Sequence, residues 1–252
     1  MFDKIAREIH KRGENMSIQD HIHAGHRERL KERYLVEGLD NFNQINVLEL
    51  LLFYCVQRKD TNPLAHRLID RFGSLFDVLN ASAEELMRVD GVTKHIATFI
   101  SMISDLNRYC LVNNATKVKI LTSTEESCKY ITPFFENRKN ETVFLVCLDA
   151  KSKVLCCKNM GEGSVNSANI SVRKIVETAI NANATSVILA HNHPSGVAIP
   201  SDEDIQTTAR LVRALNLVDI ILADHIIVAE GDSVSMCQSG FGIFRRSSKV
   251  EL

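Results

Sequence analysis

The second half of the sequence contains short runs of aliphatic and β-branched residues separated by segments with helical spacing. The run Thr142 to Leu148 (TVFLVCL) predicts a buried strand, and Lys153 to Asn159 predicts its hairpin partner. The remaining predicted elements are helices at 123–135, 172–182 and 202–215, strands at 186–190, 218–223 and 225–228, and a hairpin at 231–232. Strands joined partly by hairpins and partly through helices predict an α/β (α+β) fold, with a mixed sheet flanked by helices.

The first half of the sequence has helical signals. Its helix start and stop signals are a cap at Asn46, Pro63 at a helix start, a break at Gly73 and a capping box at Ser82 to Glu85. The turn Val89-Asp90-Gly91-Val92 leads into another helix, with Ile96, Ala97 and Ile100 predicted to face inward. We therefore expect a leader over 1–22 that is loosely ordered, a helical domain over 23–112, a linker over 111–120, and an α/β domain over 120–248.

Composition excludes a disordered or fibrous protein. The hydrophobic fraction of 45% and charged fraction of 24% are typical of a globular protein, and the net charge of -1 provides no general attraction for nucleic acid. The seven cysteines show no disulfide-framework spacing. The longest apolar run, Val47 to Val56, is too short to span a bilayer and the N-terminus has no signal-peptide core. We expect a soluble, cytoplasmic protein with no membrane association.

The segment between the predicted strand at 186–190 and the helix at 202–215 predicts a metal site. His191 and His193, at positions i and i+2 of an extended chain, project to the same side. Pro194 and Gly196 turn the chain back, so that Ser201 caps the next helix and Asp204 faces the loop one turn in. Two imidazoles and one carboxylate are three protein ligands, and tetrahedral zinc would keep its fourth position for water.

Each half of this pattern also has a structural explanation. Ser201 and Asp204 alone form a capping-box-like pair, and acids in a first helical turn suit the helix dipole. His191 and His193 alone are compatible with ordinary polar residues at a strand end. The complete pattern, with proline and glycine between its halves, favours a metal site.

This pattern resembles the JAMM motif of the JAB/MPN metalloprotease superfamily, and the chain resembles the bacterial RadC family more closely. The resemblance extends over residues 23 to 245 and is carried by 186–196, Pro200-Ser201 with Asp204, 224–228, and the segment 163–167. It implies zinc as the cofactor, with His191, His193 and Asp204 as the metal ligands.

The resemblance also implies a mechanism in which a glutamate activates a water held by zinc. Glu141, which precedes TVFLVCL, matches the placement of that glutamate as general base, with Glu177 and Glu162 as alternatives. Ser201 would donate a hydrogen bond to the developing oxyanion. RadC chains usually have Pro-Arg-Glu where this sequence has Val172-Arg173-Lys174, so any role of that glutamate is missing here.

Asp224 and His225 also fit the family. They could support the metal ligands or serve as polar groups at a strand end, and the sequence favours the second interpretation.

The segment 86–97 resembles a helix-hairpin-helix, a motif that binds DNA backbones through the amides of a Gly-x-Gly turn. Gly91, Lys94 and Arg88 are the candidate contacts to nucleic acid, with His95 as a further source of charge. Thr93 replaces the second glycine, which weakens the phosphate-binding form of the motif. A hairpin used only for packing is an equal alternative. The basic stretch 27–33 is interrupted by glutamates and predicts a solvated helix face.

Two functions follow. The first is zinc-dependent hydrolysis of a peptide or isopeptide-like bond in a protein or peptide substrate that the sequence does not identify. The second is a DNA-associated repair or recombination factor whose metal site is structural or vestigial. A zinc deaminase fits less well because the Cys-x-x-Cys half of its motif is absent, and a two-metal nuclease would need more clustered carboxylates.

Overall fold

A computed structural model describes residues 18–57, 59–163, 171–194 and 196–244 of the chain. Most of the predicted leader (1–22) and the segment 164–167 of the family resemblance therefore lie outside the described residues. The chain divides into two compact units, Met1–Leu106 and Asn107–Leu252. No helix of the described part is long and apolar enough to cross a membrane. The domain boundaries and the cytoplasmic location expected from the sequence stay predictions.

The first unit is helical. Its helices, the last of which continues into the second unit, are α1 (Ile18–Glu37), α2 (Gln44–Cys55), α3 (Asn62–Phe72), α4 (Leu75–Leu79), α5 (Ala83–Leu86) and α6 (Lys94–Ala115). The predicted signals at Pro63, Gly73 and Ser82 are confirmed: Pro63 lies in the first turn of α3, Gly73 ends that helix at a φ of 93°, and Ser82 forms a capping box with Glu85. Ile96, Ala97 and Ile100 are buried as predicted.

Two predictions in this half are wrong. Asn43, and not Asn46, caps α2, because the side chain of Asn43 accepts a hydrogen bond from the backbone N–H of Asn46. The predicted linker at 111–120 begins too early, since α6 continues to Ala115. Asparagine has only a weak preference against helix interiors, so its presence did not end the helix.

The second unit is a mixed sheet flanked by helices, as predicted. Its elements are α7 (Thr124–Ile131), a 3₁₀ turn (Thr132–Phe135), β1 (Thr142–Leu148), β2 (Val154–Glu162), α8 (Val172–Asn181), β3 (Ser186–Asn192), α9 (Asp202–Asn216), β4 (Ile221–Ala229), β5 (Asp232–Ser235) and a 3₁₀ turn (Gly242–Phe244). The strand order is β2-β1-β3-β4-β5, with β3 and β4 parallel and every other neighbouring pair antiparallel.

The central strands are buried on both faces, which explains their continuous apolar sequences. One face of β1 and β3 packs in a cluster with Ile175 and Ala179 of α8 and Leu211 of α9. The opposite face packs against Tyr130 and Ile131 of α7. All seven residues of β1 are therefore buried.

Several element boundaries differ from the predictions. The two strands predicted at 218–223 and 225–228 are one strand, β4, because Asp224 and His225 are buried and continue the ladder across a register irregularity. The strand β3 extends two residues beyond Ala190, so His191 and Asn192 are still in the sheet. The helix predicted at 123–135 tightens into a 3₁₀ turn at Thr132, next to Pro133.

Candidate metal centre

The end of β3 and the start of α9 bring three ligand-type side chains together. One ligand atom of each of His191, His193 and Asp204 lies within 4.8 Å of the other two. The Nε2 atoms of the two histidines are 2.9 Å apart, and His191 Nε2 is 3.2 Å from Asp204 Oδ1. His193 Nε2 is 3.5 Å from Asp204 Oδ2. The structure therefore brings together the three residues predicted as ligands.

Two of these separations are close to those around a tetrahedral zinc ion. Bonds of about 2.0–2.1 Å at tetrahedral angles separate neighbouring ligand atoms by roughly 3.3 Å, and the Nε2–Nε2 and Nε2–Oδ1 distances of 2.9 and 3.2 Å lie slightly below this value. His191 is fully buried and Asp204 is nearly so, whereas 19% of the side chain of His193 is exposed. A cation bound here would be reached from the side of His193.

Capping geometry holds Asp204 in place. Ser201 caps α9: its hydroxyl accepts from the backbone N–H of Asp204, while Asp204 Oδ2 accepts from the backbone N–H and hydroxyl of Ser201 at 2.9 and 2.7 Å. Burial raises the pKa of Asp204, but hydrogen bonding and charge from His191, with the hydrogen bonds from Ser201, bring that pKa below its ordinary value. The carboxylate is thus ionised and attracts a cation. Both halves of the predicted capping box are confirmed.

The other ring nitrogen of each histidine is also engaged. His193 Nδ1 lies 3.0 Å from the carbonyl oxygen of Val197, which can only accept, so Nδ1 carries the hydrogen and Nε2 has the free lone pair. His191 Nδ1 lies 2.8 Å from Nε2 of His225. His225 is fully buried, and burial together with the neighbouring His191 lowers its pKa well below the ordinary value for histidine.

His225 is therefore not a simple polar group at a strand end, and that interpretation was wrong for this residue. In the parallel ladder Leu189 pairs with His225 and His191 pairs with Ile227, so His225 lies diagonally beside His191 on one face of the sheet. Asp224 has a different position. Its carboxylate accepts from the hydroxyl of Ser235 and from the backbone N–H groups of His225 and Cys237, and so attaches β5 and the following turn to β4.

Glu141 immediately precedes β1. Val143 pairs with His191, and continuing the alternation of the strand back by two residues predicts that Glu141 falls on the face that carries His191. Glu141 is half-buried and its carbonyl oxygen accepts from the N–H of Gly163.

The two alternative glutamates have other partners. Glu177 accepts a hydrogen bond from Arg173 on the exposed surface of α8. Glu162 is exposed at the end of β2, where its carboxylate accepts from the side chain of Asn140. Neither belongs to the converging group at the metal centre.

Asn192, between the two histidines, was not singled out from the sequence. It is buried, its Oδ1 accepts from the backbone N–H of Thr142 at 2.8 Å, and its Nδ2 donates to the carbonyl of Asn140 at 3.3 Å. These two hydrogen bonds hold the backbone on both sides of Glu141. The sequence offered one signal for this role, a polar residue between two histidines. The partners of Asn192 lie 50 and 52 residues away in the sequence, so local patterns did not identify them.

The hairpin of the helical unit has a glycine at its turn and exposed positive charge around it. Gly91 has a φ of 88°, and Arg88 and Lys94 are exposed. Thr93 uses its hydroxyl to accept from the N–H of Ile96 at the start of α6. Arg67, which the sequence did not suggest, donates to the carbonyl of Asp90, and its guanidinium lies where a side chain on Gly91 would be.

Comparisons with known proteins agree with this architecture. Residues 121–241 match the family described as the RadC-like JAB domain. A UPF0758 protein of Fusobacterium nucleatum is 31% identical over 223 residues, which are 86% of this chain and 96% of that protein. A UPF0758 protein of Vibrio parahaemolyticus is 32% identical over 211 residues, covering 84% of this chain and 94% of its own length. The chain therefore belongs to the RadC family, and its second unit contains a JAB-type domain.

Proposed function

We propose that this protein is a zinc-dependent hydrolase that cleaves a peptide or isopeptide-like amide bond. The convergence of two imidazole nitrogens and one ionised carboxylate, with a partly exposed side at His193, carries the proposal. Three protein ligands with one accessible direction are typical of catalytic zinc sites, whereas structural zinc sites have four.

Zinc bound at this centre would supply Lewis-acid chemistry, polarising the scissile carbonyl and lowering the pKa of water. Glu141 would accept the proton of the attacking water at its carboxylate and return it to the leaving amine. The hydroxyl of Ser201 would donate to the oxyanion that develops on the carbonyl. Because that hydroxyl donates to Asp204 in the present structure, it would first have to rotate.

Replacing Glu141 tests the proposal. We expect Glu141→Gln to retain zinc, measured by elemental analysis, and to lose roughly 10²- to 10⁴-fold in turnover, because glutamine cannot accept the proton. Turnover would be measured on a mixture of quenched fluorescent peptides joined through α- or ε-amino groups. The matched control is Glu162→Gln, which removes an exposed carboxylate at the neighbouring strand end and should keep its activity.

Two results would contradict the proposal. Parental activity in Glu141→Gln would eliminate Glu141 as the general base. Failure of the zinc-loaded parent to cleave any of the amide substrates would count against hydrolysis of such bonds, and would leave the metal centre with a structural or vestigial role.

A second candidate function is DNA binding by the helical unit. The exposed side chains of Arg67, Arg88 and Lys94 favour it, because they lie on the helices and the loop that border the turn at Gly91. Side chains of this kind contact phosphates without reading the bases. In this case the protein would be a DNA-associated factor, with or without hydrolytic activity.

Salt dependence distinguishes this function from adventitious binding. We expect the affinity for a fluorescent DNA duplex to fall with increasing salt, and to fall less steeply in an Arg88→Ala/Lys94→Ala double variant, by about 0.9 in log–log slope for each phosphate that the variant no longer neutralises. A Lys129→Ala/Arg173→Ala variant removes the same charge from the second unit and serves as the control. Equal slopes for the two double variants would contradict a role for the hairpin.

A further inference from the structure

A buried row of polar groups begins at His191 and leads away from the ligand cluster. Nδ1 of His191 contacts Nε2 of His225 at 2.8 Å, and Nδ1 of His225 contacts Oγ1 of Thr208 at 2.7 Å. Thr208 Oγ1 in turn donates to the backbone carbonyl of Asp204 at 2.6 Å. The side chains of His191, His225 and Thr208 are fully buried. The row thus connects the ring of one ligand to the backbone of another.

The row can run in two directions, which differ in where the single hydrogen of the Thr208 hydroxyl points. In the first direction that hydrogen goes to the carbonyl of Asp204, which can only accept. The hydroxyl must then accept from Nδ1–H of His225. In a neutral imidazole this leaves a lone pair on Nε2 of His225, which accepts from Nδ1–H of His191. Met236 Sδ, at 3.7 Å from the hydroxyl, is a weak competing acceptor.

This direction leaves Nε2 of His191 without a hydrogen, so that its lone pair faces the place beside His193 and Asp204 that a cation would occupy. Lone pairs 2.9 Å apart repel one another unless a cation lies between them, so this direction belongs to the metal-bound state. In the opposite direction, the hydroxyl of Thr208 would donate to His225, His225 would donate to His191, and Nε2 of His191 would carry a hydrogen aimed at the ligand cluster. The carbonyl of Asp204 would also lose the hydrogen bond from Thr208. The two directions therefore differ in whether His191 can bind a metal ion without first exchanging a proton.

We propose that His225 and Thr208 are positioning residues that hold His191 in the tautomer that presents Nε2 to a metal ion. The inference rests on the metal-binding part of the proposed function and does not depend on hydrolysis. Replacing a group that orients a metal-binding histidine lowers metal affinity roughly 10- to 100-fold. His193 needs no such row, because the carbonyl of Val197 fixes its tautomer directly.

Two adjacent threonines of α9 provide a matched test. Thr207 and Thr208 are both buried, but the hydroxyl of Thr207 accepts from Arg210, and it is Thr208 that hydrogen-bonds to His225. Zinc affinity of the full chain, stripped of metal, would be measured by competition with a chromophoric chelator. We expect Thr208→Val to weaken zinc binding roughly 10-fold and Thr207→Val to stay close to the parent. Equal losses in the two variants would overturn the proposal.

Variants of His225 separate hydrogen bonding from packing. Phenylalanine fills a similar volume but cannot accept from His191, so His225→Phe should weaken zinc binding up to roughly 100-fold. The side-chain amide of glutamine has an oxygen that can accept from His191 and a nitrogen that can donate to Thr208. His225→Gln should therefore recover much of that affinity. Thermal unfolding of the metal-free variants checks that each is folded. Parental zinc affinity in a folded His225→Phe would overturn the proposal, as would equal losses in the phenylalanine and glutamine variants.

Nitrogen-15 NMR of the zinc-loaded parent gives a readout that a merely structural role would not affect. Long-range proton–nitrogen spectra should show the proton of His225 on Nδ1, and a mixture of His225 tautomers in Thr208→Val. A proton on Nε2 of His225 in the zinc-loaded parent would overturn the proposal. A parent that binds no zinc would overturn it together with the proposed function, whereas zinc binding with these dependences but no amide cleavage would contradict hydrolysis alone.

Discussion

We expect Asp204 to perform two tasks with its two oxygen atoms, capping α9 and binding a metal ion. Oδ2 completes the cap of α9 by accepting from Ser201, while Oδ1 lies 3.2 Å from Nε2 of His191. The capping-box explanation and the metal-site explanation of this sequence are therefore compatible. A helix cap fixes the rotamer of its side chains, and a fixed carboxylate loses less conformational entropy on binding a cation.

Removing the cap should reveal both tasks. We expect Ser201→Ala to destabilise the protein by about 0.5–2 kcal/mol through loss of the N-cap, and to weaken zinc binding roughly 10-fold because Asp204 loses its restraint. Ser123 forms the same capping box with Glu126 at the start of α7, so Ser123→Ala is the matched control. Chemical denaturation and chelator competition would measure the two effects. If both variants bind zinc like the parent, Ser201 has no part in holding Asp204 for the metal.

Single residues could be predicted from the sequence where their partners are close in the chain. His191, His193, Ser201 and Asp204 lie within 14 residues, and their arrangement follows from the alternation of a strand and the geometry of a cap. The contacts of Asn192 with Thr142 and of His225 with His191 join residues 50 and 34 positions apart. Those contacts depend on strand order and register, which local patterns do not determine.

At the scale of elements, the sequence predicted types better than boundaries. The strand β1 was predicted at its observed limits, because an apolar run covered on both faces ends where burial ends. The predicted strands were separated at Asp224, but Asp224 and the following His225 both have buried partners and β4 passes through them. A buried polar residue with hydrogen-bond partners is compatible with a strand, and the identity of those partners is a tertiary property.

Asn192 connects two elements, the start of β1 and the end of β3. We expect Asn192→Ala to cost about 1–3 kcal/mol, because the N–H of Thr142 loses its buried partner. Hydrogen exchange at the Thr142 amide should become faster, and turnover should fall with zinc retained because the backbone around Glu141 is released. Asn159→Ala is the control, because it removes an exposed hydrogen bond on β2 that the Asn159 side chain accepts from the N–H of Gly161. Unchanged exchange at Thr142 in Asn192→Ala would contradict this assignment.

At the scale of the whole molecule, each unit has its own hydrophobic core. The helical unit packs around residues such as Leu52, Leu68 and Ile100, and the second unit packs the sheet against α7 on one face and against α8 and α9 on the other. The ligand cluster belongs to the second unit alone, since its residues come from β3, from the loop that follows and from α9. A bound metal would therefore connect the sheet to a helix within one unit.

Metal removal should consequently affect the two units differently. Zinc that binds only the folded state would stabilise the second unit by about 2.7 kcal/mol at a free concentration 100 times the Kd. We expect a chelator to accelerate hydrogen exchange, followed by mass spectrometry, in peptides from β3 and α9, and to leave peptides from α2 and α3 unchanged. A His193→Ala chain, which lacks one ligand, should show no difference between zinc and chelator. Equal acceleration in both units of the parent would mean that the metal stabilises the whole chain and not the α/β unit alone.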